Sequence, residues 1–163
     1  MLLSFAQLGI LLVLAVAIMA VGVKLLVKKF VVFAPKDIRD IIRSRPDDPR
    51  WLTTLGYKLM IILLICVAAL LFWAGKDAID NGYGFWMIFA RFMILLEGYK
   101  LFDMIVFDWL LLTKSNIFQK LYPETIGCEG YKKFGFNLKS QLIKIVVFAV
   151  VATAVSAILS AFT

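Results

Sequence analysis

Five ionisable residues lie inside one strongly apolar stretch of the chain, residues 85–113. They are Arg91, Glu97, Lys100, Asp103 and Asp108. Because charged side chains are costly at membrane depth, they normally face protein, water or one another. Such residues within a membrane span are typical of a pathway for an ion or small solute, or of a proton relay. We therefore take these five residues as the candidate ligand or ion pathway.

The spacing of the same residues also has a purely structural interpretation. Glu97 and Lys100 are three positions apart, as are Lys100 and Asp103, and this spacing brings side chains together on a helix. At about 100° per residue, Asp108 falls in the same sector as Glu97 and Lys100. An ion-pair ladder of this kind neutralises itself and locks a helix bundle together. The sequence leaves the pathway and the ladder as open alternatives.

Arg91 lies well away from that sector and has no obvious partner on its own helix. We expect its side chain to extend towards the headgroups, or to meet Asp77 or Asp80 in the short turn that precedes the stretch.

A second candidate site lies in the polar segment 120–139. Glu124, Cys128 and Glu129 are close in sequence there, among glycines and tyrosines that suggest a shaped loop at the membrane interface. The chain has no histidine, which excludes histidine bases and histidine metal ligands within it. A lone cysteine without histidine is more often an ordinary thiol than a nucleophile. We expect no bound metal and no cofactor.

The elements that must position these residues are apolar blocks of membrane-spanning length. The chain has 163 residues, of which 63% are hydrophobic, against about half in a soluble domain. The excess falls in blocks of about 20 residues, the length that crosses about 30 Å of hydrocarbon. The sequence predicts an all-α integral membrane protein, a bundle of four transmembrane helices. The predicted spans are residues 2–23, 57–75, 85–113 and 141–163.

Two longer polar connections, residues 24–56 and 114–139, separate the spans. They hold thirteen of the eighteen basic residues. Since basic loops stay in the cytoplasm, we expect both loops inside, and the N- and C-termini outside. The first span carries its lysines after the apolar run rather than before it, which favours a retained span over a signal peptide. The isoleucines of 38–42 suit a helix in the headgroups, although a solvated linker fits equally well.

The last predicted span carries small residues at every fourth position. Such rows allow close helix packing, and we expect them to pack within the chain. One row is Ala149, Thr153, Ala157 and Ala161, and the other is Ala152, Ser156 and Ser160.

Three functions remain open from the sequence. The first is a transport component for a small solute or ion in the cell membrane. Because the chain is too small to enclose a pathway alone, this function implies a homo-oligomer or a complex with another membrane subunit. The second is a membrane-embedded enzyme acting on a lipid-like substrate at the cytoplasmic interface. The third is an accessory or scaffold subunit whose charges only pair helices. The net charge of +7 lies mainly in the two loops, as expected beside anionic lipid rather than nucleic acid.

Overall fold

The chain is helical throughout the part that the structure describes. A computed structural model describes residues 1–133 and 135–163, and every regular element in those ranges is a helix. The long α-helices are α1 (Leu2–Leu25), α4 (Arg50–Asp80), α5 (Phe85–Phe102) and α7 (Leu138–Leu159). Short helices connect them: α2 (Val27–Phe30), a 3-10 turn (Val31–Phe33), α3 (Lys36–Arg43), α6 (Ile117–Leu121), and 3-10 turns at Pro123–Thr125 and Glu129–Lys132. A π-helix, Asp103–Lys114, follows α5 directly.

Three of the helices are long and apolar enough to cross a membrane. These are α1, α4 and α7, which correspond to the predicted spans 2–23, 57–75 and 141–163. Many large apolar side chains on them are exposed, among them Ile61, Ile65 and Phe72 on α4. Exposed apolar surface of this extent is what a helix in lipid presents. The all-helical fold and three of the membrane-compatible helices therefore agree with the sequence prediction.

The predicted span 85–113 differs from the other three. Its α-helical part, α5, is 18 residues long and carries Arg91, Glu97 and Lys100. The prediction of one regular α-helix through this stretch was wrong, because the helix widens to π geometry from Asp103 onwards. In that segment Ser115 N donates to Leu110 O, five residues back, at 2.8 Å. The wider turn changes the rotation per residue, so the position of Asp108 around the helix axis no longer follows from 100° per residue.

The described chain forms two compact units. Unit 1 comprises Met1–Ala15, Leu64–Phe102 and Leu138–Thr163, and unit 2 comprises Val16–Leu63 and Asp103–Asn137.

Unit 1 packs α5 against α7 and against parts of α1 and α4. Its core includes Leu70 and Ala74 of α4, Phe92 and Leu95 of α5, and Ala152 of α7. The turn between α4 and α5 is tight, and Gly82 adopts φ +61° there, a left-handed conformation that glycine takes without strain. Because this turn returns α5 beside the end of α4, residues near it on both helices become neighbours.

Glycine and small residues let the helices of unit 1 approach closely. A Cβ on Gly98 would lie 2.8 Å from Leu8 Cδ2, so α1 packs directly on the backbone of α5 there. Ala152 and Ser156 of α7 are fully buried, whereas Thr153, Ala157 and Ala161 are exposed. The expectation that both small-residue rows of α7 pack within the chain therefore holds for one row only.

Unit 2 is compact and has its own core. Val23, Ile38, Ile42, Phe118 and Tyr131 are among its buried members. Ile38 and Ile42 of α3 are fully buried, so the apolar face of this helix is covered by protein rather than left free for headgroups. α4 begins at Arg50, directly after the Asp47-Asp48-Pro49 sequence that is typical of a helix start.

The segment 120–133 is ordered around two buried tyrosines. The Tyr122 hydroxyl donates to the backbone oxygen of Val23, and the Tyr131 hydroxyl lies 2.6 Å from Thr125 Oγ1. Gly130 N donates to Asp37 Oδ2 at 2.7 Å, and a Cβ on Gly130 would lie 2.5 Å from the other oxygen of Asp37. This segment is therefore a shaped part of unit 2.

Candidate functional site

Arg91 is the most deeply buried arginine of the chain and forms the centre of a polar cluster in unit 1. Its side chain is 2% exposed, and its Nη1 donates to Asp77 Oδ2 at 2.5 Å. Asp77 lies on the last turn of α4 and is 20% exposed, so it is the member of the pair that reaches the surface. The guanidinium carbon also lies 5.2 Å from the centre of the Tyr83 ring, within the range of a cation–π contact. Of the two alternatives given for Arg91, the structure brings it to Asp77.

A third helix reaches the same guanidinium. Arg91 Nη2 donates to Gln7 Oε1 of α1 at 3.3 Å. Gln7 is fully buried, and so is Ser4, three residues earlier on the same helix. We call Ser4, Gln7, Asp77, Tyr83 and Arg91 the polar cluster. Through it, one buried cation joins α1, α4 and α5.

Hydrogen-bond donors exceed acceptors in the polar cluster. Arg91 Nε and Gln7 Nε2 are buried and find no hydrogen-bond partner among the described residues, and the same is true of Ser4 Oγ. The first two are donors only, and the hydroxyl can donate or accept. Asp77 meanwhile accepts from Arg91 and, through its other oxygen, from Asn81 Nδ2 at 3.2 Å. The cluster is therefore short of acceptors, which is unusual because buried polar groups are normally satisfied.

Glu97 and Lys100 lie further along α5, towards its C-terminal end. Lys100 is 2% exposed and interacts electrostatically with Glu97. Glu97 is partly buried, and its Oε1 is buried without a hydrogen-bond partner in the part of the chain that the structure describes. Gly98 lies between them, under Leu8 of α1. These two members of the predicted pathway therefore share unit 1 with Arg91.

Asp103 and Asp108 belong to unit 2, on the π-helix. Asp108 Oδ2 accepts from Asn137 Nδ2 at 3.0 Å, and the backbone oxygen of Asp108 accepts from Thr113 Oγ1 at 2.9 Å. Asp108 thus fastens the end of the loop to the π-helix, a role that the sequence did not predict.

The second candidate site has a structural explanation for each of its residues. Glu124 pairs with Arg45 at 2.9 Å, and Arg45 also lies 5.0 Å from the centre of the Tyr122 ring. Glu129 pairs with Lys133 at 3.5 Å. Burial raises the pKa of the Cys128 thiol, and the nearby carboxylate of Asp37 raises it further. Because the thiolate is the nucleophile, this environment does not activate Cys128.

Ser4 and Gln7 were not among the site residues predicted from the sequence. The signal was nevertheless present, since Ser4 and Gln7 are three residues apart in a helix that is otherwise apolar up to Lys24. This spacing places them on one face. A polar pair on one face of a membrane-compatible helix indicates a polar partner on a neighbouring helix.

No protein-family model, curated protein or solved structure matches this chain. Its function must accordingly be argued from the site.

Proposed function

We propose that this protein is a transport component for a small solute or ion, and that the polar cluster of unit 1 is its binding site. The observation that carries the proposal is the burial of Arg91 at 1% exposure between a carboxylate and an amide from two other helices. Buried charges in a membrane domain are functional by default. Lys100 and Glu97, the other charged residues of α5, belong to the same unit.

Asp77 is the natural gate of such a site. It is the partly exposed partner of Arg91, so a solute approaching from that end meets Asp77 first. A solute that bonds to the unpartnered Nε–H of Arg91 leaves the Asp77 pair in place, so the guanidinium keeps its counter-charge when the solute leaves.

The proposed arrangement in the cell membrane has four spans, with α5 and the π-helix together forming the third. Residues 24–56 and 114–139 then face the cytoplasm, and both termini lie outside. All four tryptophans (Trp51, Trp73, Trp86 and Trp109) have exposed side chains, which supports aromatic belts near both interfaces. Cysteine labelling tests this arrangement: Asn81→Cys should react with an impermeant thiol reagent from outside and Ser115→Cys should not. The reverse pattern would contradict the orientation.

Transport by so small a chain implies a second copy or another membrane subunit. The exposed row Thr153, Ala157 and Ala161 of α7 supports this, because small residues permit close approach of another helix.

The test of the function is salt flux into vesicles. Purified protein is reconstituted into liposomes, and swelling in potassium chloride or potassium acetate is followed by light scattering with a potassium ionophore present. Native protein should accelerate swelling over empty liposomes. The double variant Arg91→Met/Asp77→Leu should abolish the acceleration, since it replaces the buried pair by apolar groups that can pack.

A matched control is available one helical turn away. Lys76 and Asp80 also form an ion pair, at 2.6 Å, but their side chains are 60% and 57% exposed. The variant Lys76→Met/Asp80→Leu should therefore keep the native swelling rate. Native protein that swells vesicles no faster than empty liposomes would overturn the proposed function.

A second candidate is the accessory subunit, which the same contacts favour in part. Arg91 fastens α5 to α4 through Asp77 and to α1 through Gln7, as a structural lock would. In that case the buried-pair variant loses assembly with its partner while the reconstituted native protein moves no solute.

A further inference from the structure

We infer that the ligand of the polar cluster is a small anion, bound by Arg91 Nε, Gln7 Nε2 and Ser4 Oγ. This inference rests on the proposed function and names its substrate class. It follows from which atoms of the cluster are already engaged and which are left over.

The engaged atoms leave several buried donors of the polar cluster without a partner. Arg91 uses Nη1 for Asp77 and Nη2 for Gln7, so its Nε–H remains. Gln7 uses its oxygen for Arg91, so both N–H groups of Nε2 remain. Ser4, Gln7 and Arg91 are at most 1% exposed. A buried donor without an acceptor carries the full cost of its desolvation, and an acceptor supplied by a ligand removes that cost.

The chemistry of these atoms selects the ligand. A cation brings no acceptor and would meet the charge of Arg91. A carboxylate or a halide brings only acceptors, and charge-assisted hydrogen bonds from a guanidinium to an anion are stronger than those to a neutral oxygen. The surrounding side chains, such as Ile88 and Leu11, are apolar and buried, which strengthens the attraction further.

Size is limited by the same packing. The ring of Tyr83 covers the guanidinium, and Ser4 and Gln7 are fully buried. The site therefore suits an anion of a few atoms, such as chloride or acetate, rather than a phosphorylated metabolite.

The test is the nitrogen resonance of Arg91 itself. The chain has five arginines, Arg39, Arg43, Arg45, Arg50 and Arg91, so full-length protein labelled with ¹⁵N-arginine gives a short list of Nε signals. The Arg91 signal is assigned by its loss in Arg91→Lys. Protein in uncharged detergent is titrated with sodium acetate or sodium chloride. Sodium gluconate, whose anion is too large for the site, keeps the ionic strength constant.

We expect the Arg91 Nε signal to shift and saturate, whereas the signals of the exposed Arg43 and Arg50 should drift without saturating. Neutral acetamide should not reproduce the shift. In Ser4→Ala/Gln7→Leu, the concentration of half-saturation should rise at least ten-fold. If that variant fails to fold, Ser4→Ala alone should raise it by about three-fold.

An Arg91 signal that does not shift, or that shifts equally with acetamide, overturns the anion assignment. This result is separable from the fate of the proposed function. If the protein moves solute but Arg91 shows no saturable binding, the transport function is supported and the anion site is refuted. If Arg91 binds anions saturably but the protein moves no solute, the anion site is supported and the transport function is refuted.

Discussion

At the scale of single residues, the interpretation of the candidate site depends on the contacts of Arg91. The sequence indicated that Arg91 lacks a partner on its own helix and named Asp77 as one possibility, because a short turn brings the end of α4 beside α5. It could not indicate Gln7, since the approach of α1 depends on packing between helices, including the seating of Leu8 on Gly98. Local spacing therefore gave the ion pair with Asp77 as one of several alternatives, and only tertiary packing revealed the donors around it.

The buried tyrosines of unit 2 give a residue-scale prediction for pH. Burial raises the pKa of Tyr122 to about 12, and burial also raises the pKa of Tyr131 to about 12. In the unfolded chain a tyrosine loses its proton near pH ~10. The unfolded state is thus favoured as pH rises from about 10 to about 12, and the stabilisation present below pH ~10 is lost across that window.

Thermal unfolding in detergent should accordingly become easier as pH is raised from about 9 to about 11.5. Each tyrosine can contribute up to about 2–3 kcal/mol over the window. Tyr131→Phe should flatten the dependence by roughly half. Tyr57→Phe is the control, because Tyr57 is exposed. Equal pH dependence in Tyr131→Phe and native protein would contradict this account.

At the scale of elements, sequence periodicity predicts the small-residue rows of α7 but not the direction in which each row faces. Its two rows of small residues are adjacent on the helix, and composition does not tell which row faces the protein. In the structure Ala152 is fully buried and Ala157 is exposed, so the row that contains Ala152 is the one that faces the protein. The two positions therefore form a matched pair of tests.

Ala152→Leu should destabilise the protein by about 1–3 kcal/mol, because extra methylenes in a packed core force side chains and backbone apart. Ala157→Leu should leave thermal stability in detergent unchanged. If α7 also serves as the contact with a second copy, Ala157→Leu should shift the protein to a smaller species on size-exclusion chromatography. Equal destabilisation by the two variants would mean that the buried row has been wrongly identified.

The π-helix is the element that the sequence did not predict. Residues 103–114 contain neither proline nor glycine, so no helix-breaking residue in the sequence indicated a change of helix type. Because the turn is wider there, the direction in which Asp108 points from the helix axis cannot be taken from 100° per residue. Helices of this type are rare and are frequently found at functional sites.

At the scale of the whole molecule, length and hydropathy were enough to predict an all-helical protein with membrane-compatible helices α1, α4 and α7. Length and hydropathy predicted the ends of these helices less well. α4 runs over 31 residues, about 46 Å at 1.5 Å per residue, which exceeds the hydrocarbon thickness. The polar ends of α4 continue the helix because nothing between Pro49 and Asn81 interrupts it.

The polar connection 24–56 also proved more ordered than its composition suggested, whereas a shaped loop was expected for 120–139. Residues 24–56 and 114–139 contain many charges, yet they contribute most of the core of unit 2 through side chains such as Ile42 and Tyr122. A hydropathy scan averages these residues with their charged neighbours and so misses them. The pairing of Asp37 with Gly130 N joins residues 93 positions apart, beyond the reach of any local pattern.

The central claim is that the polar cluster serves a solute rather than the fold. The measurement that tests it most directly combines thermal stability and chloride flux in the same preparation of Ser4→Ala. Removing a buried hydroxyl that has no hydrogen-bond partner should leave the unfolding midpoint equal or higher, since its desolvation cost disappears. This stable protein should swell liposomes in potassium chloride more slowly than native protein does. A stable variant that swells liposomes at the native rate would contradict it.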